Sequence, residues 1–249
     1  PLTPPAAVAI VGLGALGLPI AVNLRRAGYR LNVHTRSRSA ESAAELLDDQ
    51  GPTVTSSSSP GKATEGCGVL LICVSDDAAV QDVLWGDNGA GFALAPGSLV
   101  IDCSTIAPAT AAAMATRLAE RNVHYIDTPV TGGMEGAKAG TLTVPCGGES
   151  TALARARPPL EVIGGSIPHF GSVGSGQQVK AVNQVLVAGS YAAVAEAIAL
   201  GQHLRLPMQQ VVKSLPSRNL SVVSIKPQLH HPVQTGKVRN ITDSDLLMS

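Results

Sequence analysis

The sequence predicts a doubly wound α/β fold, a mainly parallel sheet followed by a long helix and a reduced C-terminal segment. Three observations carry this. Short apolar runs alternate with amphipathic stretches from Val8 to Phe170, the order that builds βαβ units. The first run, Val8–Val11, leads directly into Gly12-Leu13-Gly14-Ala15-Leu16-Gly17. After Gly171 the alternation stops, and one long apolar stretch from Gln178 to Leu204 takes over.

Taken in order, Val8–Val11 is a strand, and Leu16–Ala27 is helical, with Leu16, Ile20, Leu24 and Ala27 at near-helical spacing. Arg30–His34 is a strand, Ala40–Leu47 is helical, and Thr53–Ser59 is a short strand that turns at Pro60. Gly68–Val74 reads as a buried strand, Ala78–Leu84 as a helix and Leu99–Asp102 as a strand. Pro108 opens a helix to Glu120, since proline suits a first helical turn. His124–Asp127, Leu142–Cys146 and Ile167–Phe170 read as strands, the last closing the series. Between the last two, Glu149–Ile163 is helical and broken near Pro158-Pro159. Gly171–Gly176 is a flexible connection, and Pro207 marks the end of the long helix. Beyond Leu215, prolines 216, 227 and 232 interrupt any period. The expected division is residues 1–172, a dinucleotide-binding domain, and residues 173–249, the long helix with a short remainder.

Composition narrows the class. With 249 residues, 45 % of them apolar and only 2 % aromatic, the core must be built from Val, Leu, Ile and Ala. Lys+Arg and Asp+Glu are 18 each, so nothing marks a nucleic-acid face. Cys67, Cys73, Cys103 and Cys146 show no C-x-x-C and no histidine at metal-ligand spacing, so no metal is expected. They read as buried free thiols of a reducing compartment, cytoplasm or organellar matrix. His34, His124, His169 and His203 read as packing residues without a chemical role. No apolar run is expected to span a bilayer, and no targeting segment is visible in a chain that starts at Pro1.

G-x-G-x-x-G between a strand and a helix is the signature of a dinucleotide site in a Rossmann-type fold. Gly12 permits the turn, Gly14 lets backbone approach a pyrophosphate, and Gly17 packs the helix close to the strand. The helix N-terminus then offers N–H groups and a favourable dipole to phosphate. Folds that bind NAD place Asp or Glu about 20 residues later, after the second strand. Here Thr35-Arg36-Ser37 follows that strand, with no carboxylate. A guanidinium beside a hydroxyl suits a 2′-phosphate, so NADP(H) is expected over NAD(H).

Four segments together resemble the β-hydroxyacid dehydrogenase family. They are Gly12–Asn23; Asp102-Cys103-Ser104-Thr105-Ile106-Ala107-Pro108; Asp127-Thr128-Pro129-Val130-Thr131-Gly132-Gly133 with Gly136–Leu142; and Gly174-Ser175-Gly176 with Lys180-Ala181-Val182-Asn183-Gln184. Leu16 stands where the family usually has Met, and Thr131 where it has Ser. The resemblance implies hydride transfer between a nicotinamide cofactor and a small semialdehyde or keto acid, giving the hydroxy acid, or the reverse. It implies that Lys180 is the general acid/base and that Asn183 and Gln184 hold the lysine and substrate oxygens. Their i, i+3, i+4 spacing puts the three on one helix face. The same resemblance assigns Thr131, Gly132 and Gly133 to the substrate carboxylate. It sets Val74, Ser75, Asp76 and Thr105 beside the nicotinamide ribose, completing a cofactor set of Gly12, Leu13, Gly14, Ala15, Leu16, Gly17, Thr35, Arg36 and Ser37.

The family continues into a helical bundle that closes the site, supplies a late Lys-Asp pair and makes most of the dimer contact. Ser217–Ser249 shows no such helices. Poor turnover is therefore expected, with the apolar face of the long helix driving homo-oligomer formation. The competing reading is a catalytically impaired dinucleotide-binding or interaction protein of the same fold. 6-Phosphogluconate dehydrogenase shares the motifs but has a larger helical domain and usually His where Asn183 stands. Imine reductases share the fold but typically lack the lysine.

Overall fold

The computed structural model describes residues 2–35, 46 and 54–214. The predicted helix at Ala40–Leu47, apart from Leu46, and the tail beyond Ser214 lie outside the described residues. Contacts divide the chain after Lys180, inside the long helix.

The first unit is built on a six-stranded sheet. Its strands are β1 (Ala7–Val11), β2 (Arg30–His34), β3 (Val54–Ser56), β4 (Val69–Ile72), β5 (Leu99–Asp102) and β6 (His124–Asp127). They lie in the order β3-β2-β1-β4-β5-β6, and every pairing is parallel. The order reverses between β1 and β4, the place where doubly wound sheets open a crevice at their C-terminal ends.

Both faces are covered, so the central strands are apolar throughout. Alternation sends Val8, Ile10, Val69, Leu71, Leu99 and Ile101 to one face. There they meet Ile20 and Leu24 of α1 (Gly17–Arg26) and Ala156 and Leu160 of α7 (Ser150–Ile163). Ala9, Val11, Leu70, Ile72 and Val100 point the other way. Their partners come from α2 (Pro60–Ala63), α3 (Asp77–Trp85), α4 (Ala90–Ala93) and α5 (Pro108–Ala119). Ser59 caps α2 at the Lys62 amide with Pro60 behind it, and Asp76 caps α3 at the Ala79 amide, 2.8 Å away.

The elements differ from the sequence reading in three ways. The α7 helix runs unbroken through Pro158 and Pro159. Its buried face, Ala152, Leu153, Ala156, Pro159, Leu160 and Ile163, keeps helical spacing across the prolines. The two carbonyls freed belong to Ala154, which is exposed, and Arg155, which is half-buried, so water can reach both residues. The expected last strand at Ile167–Phe170 is displaced: β8 is Gly164–Ser166, paired with β7 (Leu142–Thr143) in a separate two-stranded sheet. Pro145 and Pro168 lack the N–H that would extend that ladder, leaving a single bridge from Cys146 to His169. The third is a set of short helices that the sequence reading did not place, α2, α4, Met208–Ser214 and α6 (Gly133–Ala139), the last with two glycines that hide its period.

The long helix α8 covers Ser175–His203, and α9 covers Met208–Ser214. In the second unit Val182, Val185 and Leu186 are 65 %, 72 % and 65 % exposed. Contrary to the expectation about apolar runs, α8 is long and apolar enough to cross a membrane by length and composition. Its first turn, however, is buried among strand ends of the first unit, with Gln177 and Lys180 enclosed.

Candidate active site

A cleft of about 320 Å³ opens at the C-terminal ends of β1 and β4. Gly12, Leu13, Gly14, Ala15, Leu16 and Gly17 form one wall, and Thr35, Val74, Ser75 and Thr105 continue it. Val130, Gly133 and Lys180 also line it. Expected residues from six separate segments thus line one cavity.

Each glycine is constrained differently. Gly12 has φ +97°, and a Cβ there would run into the Cys73 carbonyl. At Gly17 a Cβ would meet the Gly12 carbonyl, so this glycine sets how closely α1 approaches the turn. At Gly14 a Cβ meets nothing. That position faces open cleft, where a side chain would occupy space a pyrophosphate needs. Leu16, the N-cap of α1, makes no side-chain capping bond, and the first turn holds no acidic residue. Leu18 already donates its N–H to the Gly14 carbonyl and Pro19 has none, so the Gly17 amide and the helix dipole are what α1 offers an anion. These residues fit a dinucleotide.

At the far side, Lys180 is 3 % exposed. Its Nζ donates to the Val130 carbonyl at 3.0 Å and lies 3.5 Å from Thr131 Oγ1. Burial lowers its pKa from 10.5 to about 8, because the low-dielectric site disfavours the ammonium. Thr131 commits its own N–H to the Thr143 carbonyl at 2.9 Å. It keeps its hydroxyl beside the lysine, while Gly132 and Gly133 adopt φ +133° and +61° and turn the chain into α6.

Not every expected residue reaches the cleft. The Asp76 carboxylate is engaged by the Ala79 amide and the Ser75 hydroxyl, at 2.8 and 2.7 Å, and caps α3. Asn183 and Gln184 belong to the second unit, where Asn183 Nδ2 donates to Gln184 Oε1 at 3.3 Å. Arg36 and Ser37 lie outside the described residues.

Other residues emerge only here. Ser104 lines the cleft and accepts from the Val74 amide at 3.0 Å, tying the ends of β4 and β5 together. His34 also lines it, where the sequence suggested mere packing. Its Nδ1 lies 2.9 Å from the Ser57 carbonyl. A carbonyl only accepts, so Nδ1 carries the hydrogen. The signal available in sequence was its place at the end of the second strand. Buried Cys103 and half-buried Cys73 also line the cleft, the Cys73 thiol pushed up to about 12 by desolvation and by Asp102; neither is poised as a nucleophile.

Comparison with known proteins agrees with this geometry. Residues 7–171 match a family model described as the NAD binding domain of 6-phosphogluconate dehydrogenase. Residues 174–228 match one described as NAD-binding of NADP-dependent 3-hydroxyisobutyrate dehydrogenase. The chain is 40 % identical over 194 residues to an NAD-dependent L-serine dehydrogenase of Pseudomonas aeruginosa, covering 78 % of this chain and 63 % of that protein. It is 37 % identical over 188 residues to a 2-hydroxy-3-oxopropionate reductase of Escherichia coli, covering 76 % and 62 %. Among solved structures, a Mycobacterium tuberculosis 3-hydroxyisobutyrate dehydrogenase with L-serine superposes with a TM-score of 0.71 at 31 % identity. That match covers 83 % of this chain and 68 % of the other. The chain thus spans under two thirds of the length of the two curated relatives.

Proposed function

The chain belongs to the β-hydroxyacid dehydrogenase family, and from that premise we propose an NADP(H)-dependent oxidoreductase that interconverts a small semialdehyde or keto acid and its hydroxy acid. The observation that carries this is the buried Lys180 amine facing the cleft that begins at the Gly12–Gly17 turn. When bound, the nicotinamide dinucleotide supplies or accepts the hydride. Gly12–Gly17 and the start of α1 would hold its pyrophosphate, with Val74, Ser75, Ser104 and Thr105 along the same wall.

The chain's own part is proton transfer and orientation. In reduction the Lys180 ammonium gives a proton to the substrate's carbonyl oxygen and is left as a neutral amine. In oxidation the neutral amine takes the proton from the hydroxyl. A pKa of about 8 keeps both forms populated near neutrality, the condition for acid/base work in either direction. The Val130 carbonyl aims the amine. Thr131, Gly132 and Gly133 would hold the substrate carboxylate, with Asn183 and Gln184 as amide partners one helical turn beyond Lys180.

The test is a steady-state assay with NADP⁺ and NAD⁺ against a panel of small 3-hydroxy acids, run beside direct nucleotide titration. Turnover that disappears in Lys180→Ala while nucleotide still binds supports the reading. Nucleotide binding with no turnover on any substrate would favour a binding protein instead.

A further inference from the structure

Two buried side chains outside the cleft meet at the first turn of α8. Asp127, at the end of β6 and fully buried, accepts from the Gly174 amide at 2.7 Å through Oδ1 and from the Gln177 amide at 2.8 Å through Oδ2. Gln177, 2 % exposed, uses both ends of its own amide. Its Oε1 accepts from the Ile106 amide at 3.1 Å, and its Nε2 donates to the Ser104 carbonyl at 2.8 Å. Four bonds thus tie the start of the helix to the ends of β5 and β6. The backbone is correspondingly tight: a Cβ on Gly176 would press on the carbonyls of Pro145 and Asp127 at 2.7 and 2.8 Å.

We propose that Asp127 and Gln177 are paired positioning residues that set the depth and rotation of the first turn of α8, and thereby hold Lys180 against the Val130 carbonyl inside the cleft. The proposal rests on the reading of Lys180 as the proton carrier. Neither residue lines the cleft, so neither acts on substrate directly.

The physical argument is one of register. A helix advances 1.5 Å and turns about 100° per residue, so a small slip at Gln177 moves Lys180, less than one turn later, out of its place. A carboxylate on the leading N–H groups is also favoured by the helix dipole. Burial is what lowers the proton affinity of Lys180, so its titration reports how deep the clamp keeps it. The surrounding titratable groups are already engaged. Asp102 accepts from Tyr125 and the Ser104 amide, Asp127 holds the helix start, and Glu135 of α6 pairs with Lys138. Cys73 and Cys103 at the ends of β4 and β5 are held neutral by burial.

The test is competitive acetylation of the full chain with acetic anhydride across pH, read at Lys180 by mass spectrometry. The unaltered protein should show reactivity rising around pH 8. Asp127→Asn and Gln177→Met, checked for folding by circular dichroism, should move that midpoint up by about one pH unit or more, toward an ordinary lysine. A purely structural role would lower the folded fraction without moving the midpoint, so an unchanged midpoint in a folded variant overturns the proposal. Should neither variant fold, hydrogen exchange on the unaltered chain decides. Slow exchange at the Gly174, Gln177 and Ile106 amides supports the clamp, and exchange at the rate of an open loop overturns it. A shifted midpoint in a protein without turnover refutes the Lys180 reading and leaves the clamp standing. Lysine-dependent turnover with unmoved midpoints does the reverse.

Discussion

Lys180 donates to the carbonyl of Val130 at 3.0 Å, across 50 positions of sequence. That bond joins the long helix to the loop after β6 and places the amine in the wall of the glycine cleft. The chemistry proposed above follows from this pairing.

Lys180→Ala should reduce turnover by about 10²–10⁴-fold, the usual contribution of a general acid/base. Nucleotide affinity should stay near that of the unaltered protein. The pH profile has a definite sign. Oxidation needs the neutral amine, so its rate should rise through about pH 8, and reduction needs the ammonium, so its rate should fall there. Steady-state rates in both directions check this, and profiles that bend the same way would contradict it.

The two later glycines of the motif should separate in their effects. Gly14→Ala adds a Cβ that meets no protein atom. It should leave Tm within about 2–4 °C, equivalent to about 1 kcal/mol in a chain of this size, yet weaken nucleotide binding. Gly17→Ala drives a Cβ into the Gly12 carbonyl and should lower Tm well beyond that. Thermal melts beside fluorescence titration with NADPH distinguish the two.

Arg36→Asp should erase or invert a preference for NADPH over NADH. One charge-assisted hydrogen bond contributes about 1.5–3 kcal/mol, or roughly tenfold to a hundredfold in affinity. Superimposable titrations of the unaltered protein with the two nucleotides would remove the basis for this expectation.

Stability should carry the mark of Asp102. Burial raises its carboxyl from 3.8 to about 6, despite bonds from Ser104 and Tyr125. The folded state therefore binds this proton more tightly than the unfolded chain does. The associated stability is full below pH 3.8 and is lost as pH rises through 6, on the order of 3 kcal/mol. Asp102→Asn abolishes that dependence. The change in urea unfolding free energy between pH 4 and pH 7 should therefore differ between the two proteins by about this amount, and parallel pH curves would rule it out.

The exposed Val182, Val185 and Leu186 of α8 form an apolar patch that water disfavours. Light scattering should give a mass above the 25.3 kDa of one chain. Val185→Lys with Leu186→Lys should bring it down. A single-chain mass for the unaltered protein would dismiss this expectation.

Local pattern determined much of this protein. Period-two and helical spacing, with glycine and proline punctuation, were enough for β1, β2, β4, β5, β6 and the long helix, because each depends on which neighbouring residues are apolar. The glycine motif was legible for the same reason: Gly12 and Gly17 answer to contacts within one turn and with the adjoining strand, while Gly14 leaves the cleft open. Resemblance then pointed to Lys180. Where proline or glycine worked against local preference, the pattern misled. α7 passes through Pro158-Pro159 because its buried face outweighs two lost bonds, and α6 forms despite two glycines. The Asp76 cap on Ala79 is a local contact three residues long, whereas tertiary structure alone decided that His34 faces the cleft. It also decided that Asp127 and Gln177 converge on the first turn of α8. Those outcomes depend on groups distant in sequence, Gln177 reaching Ser104 across 73 positions and Asp127 reaching Gln177 across 50. No periodicity encodes such pairings, since they exist only once the parallel sheet has brought the ends of its strands together.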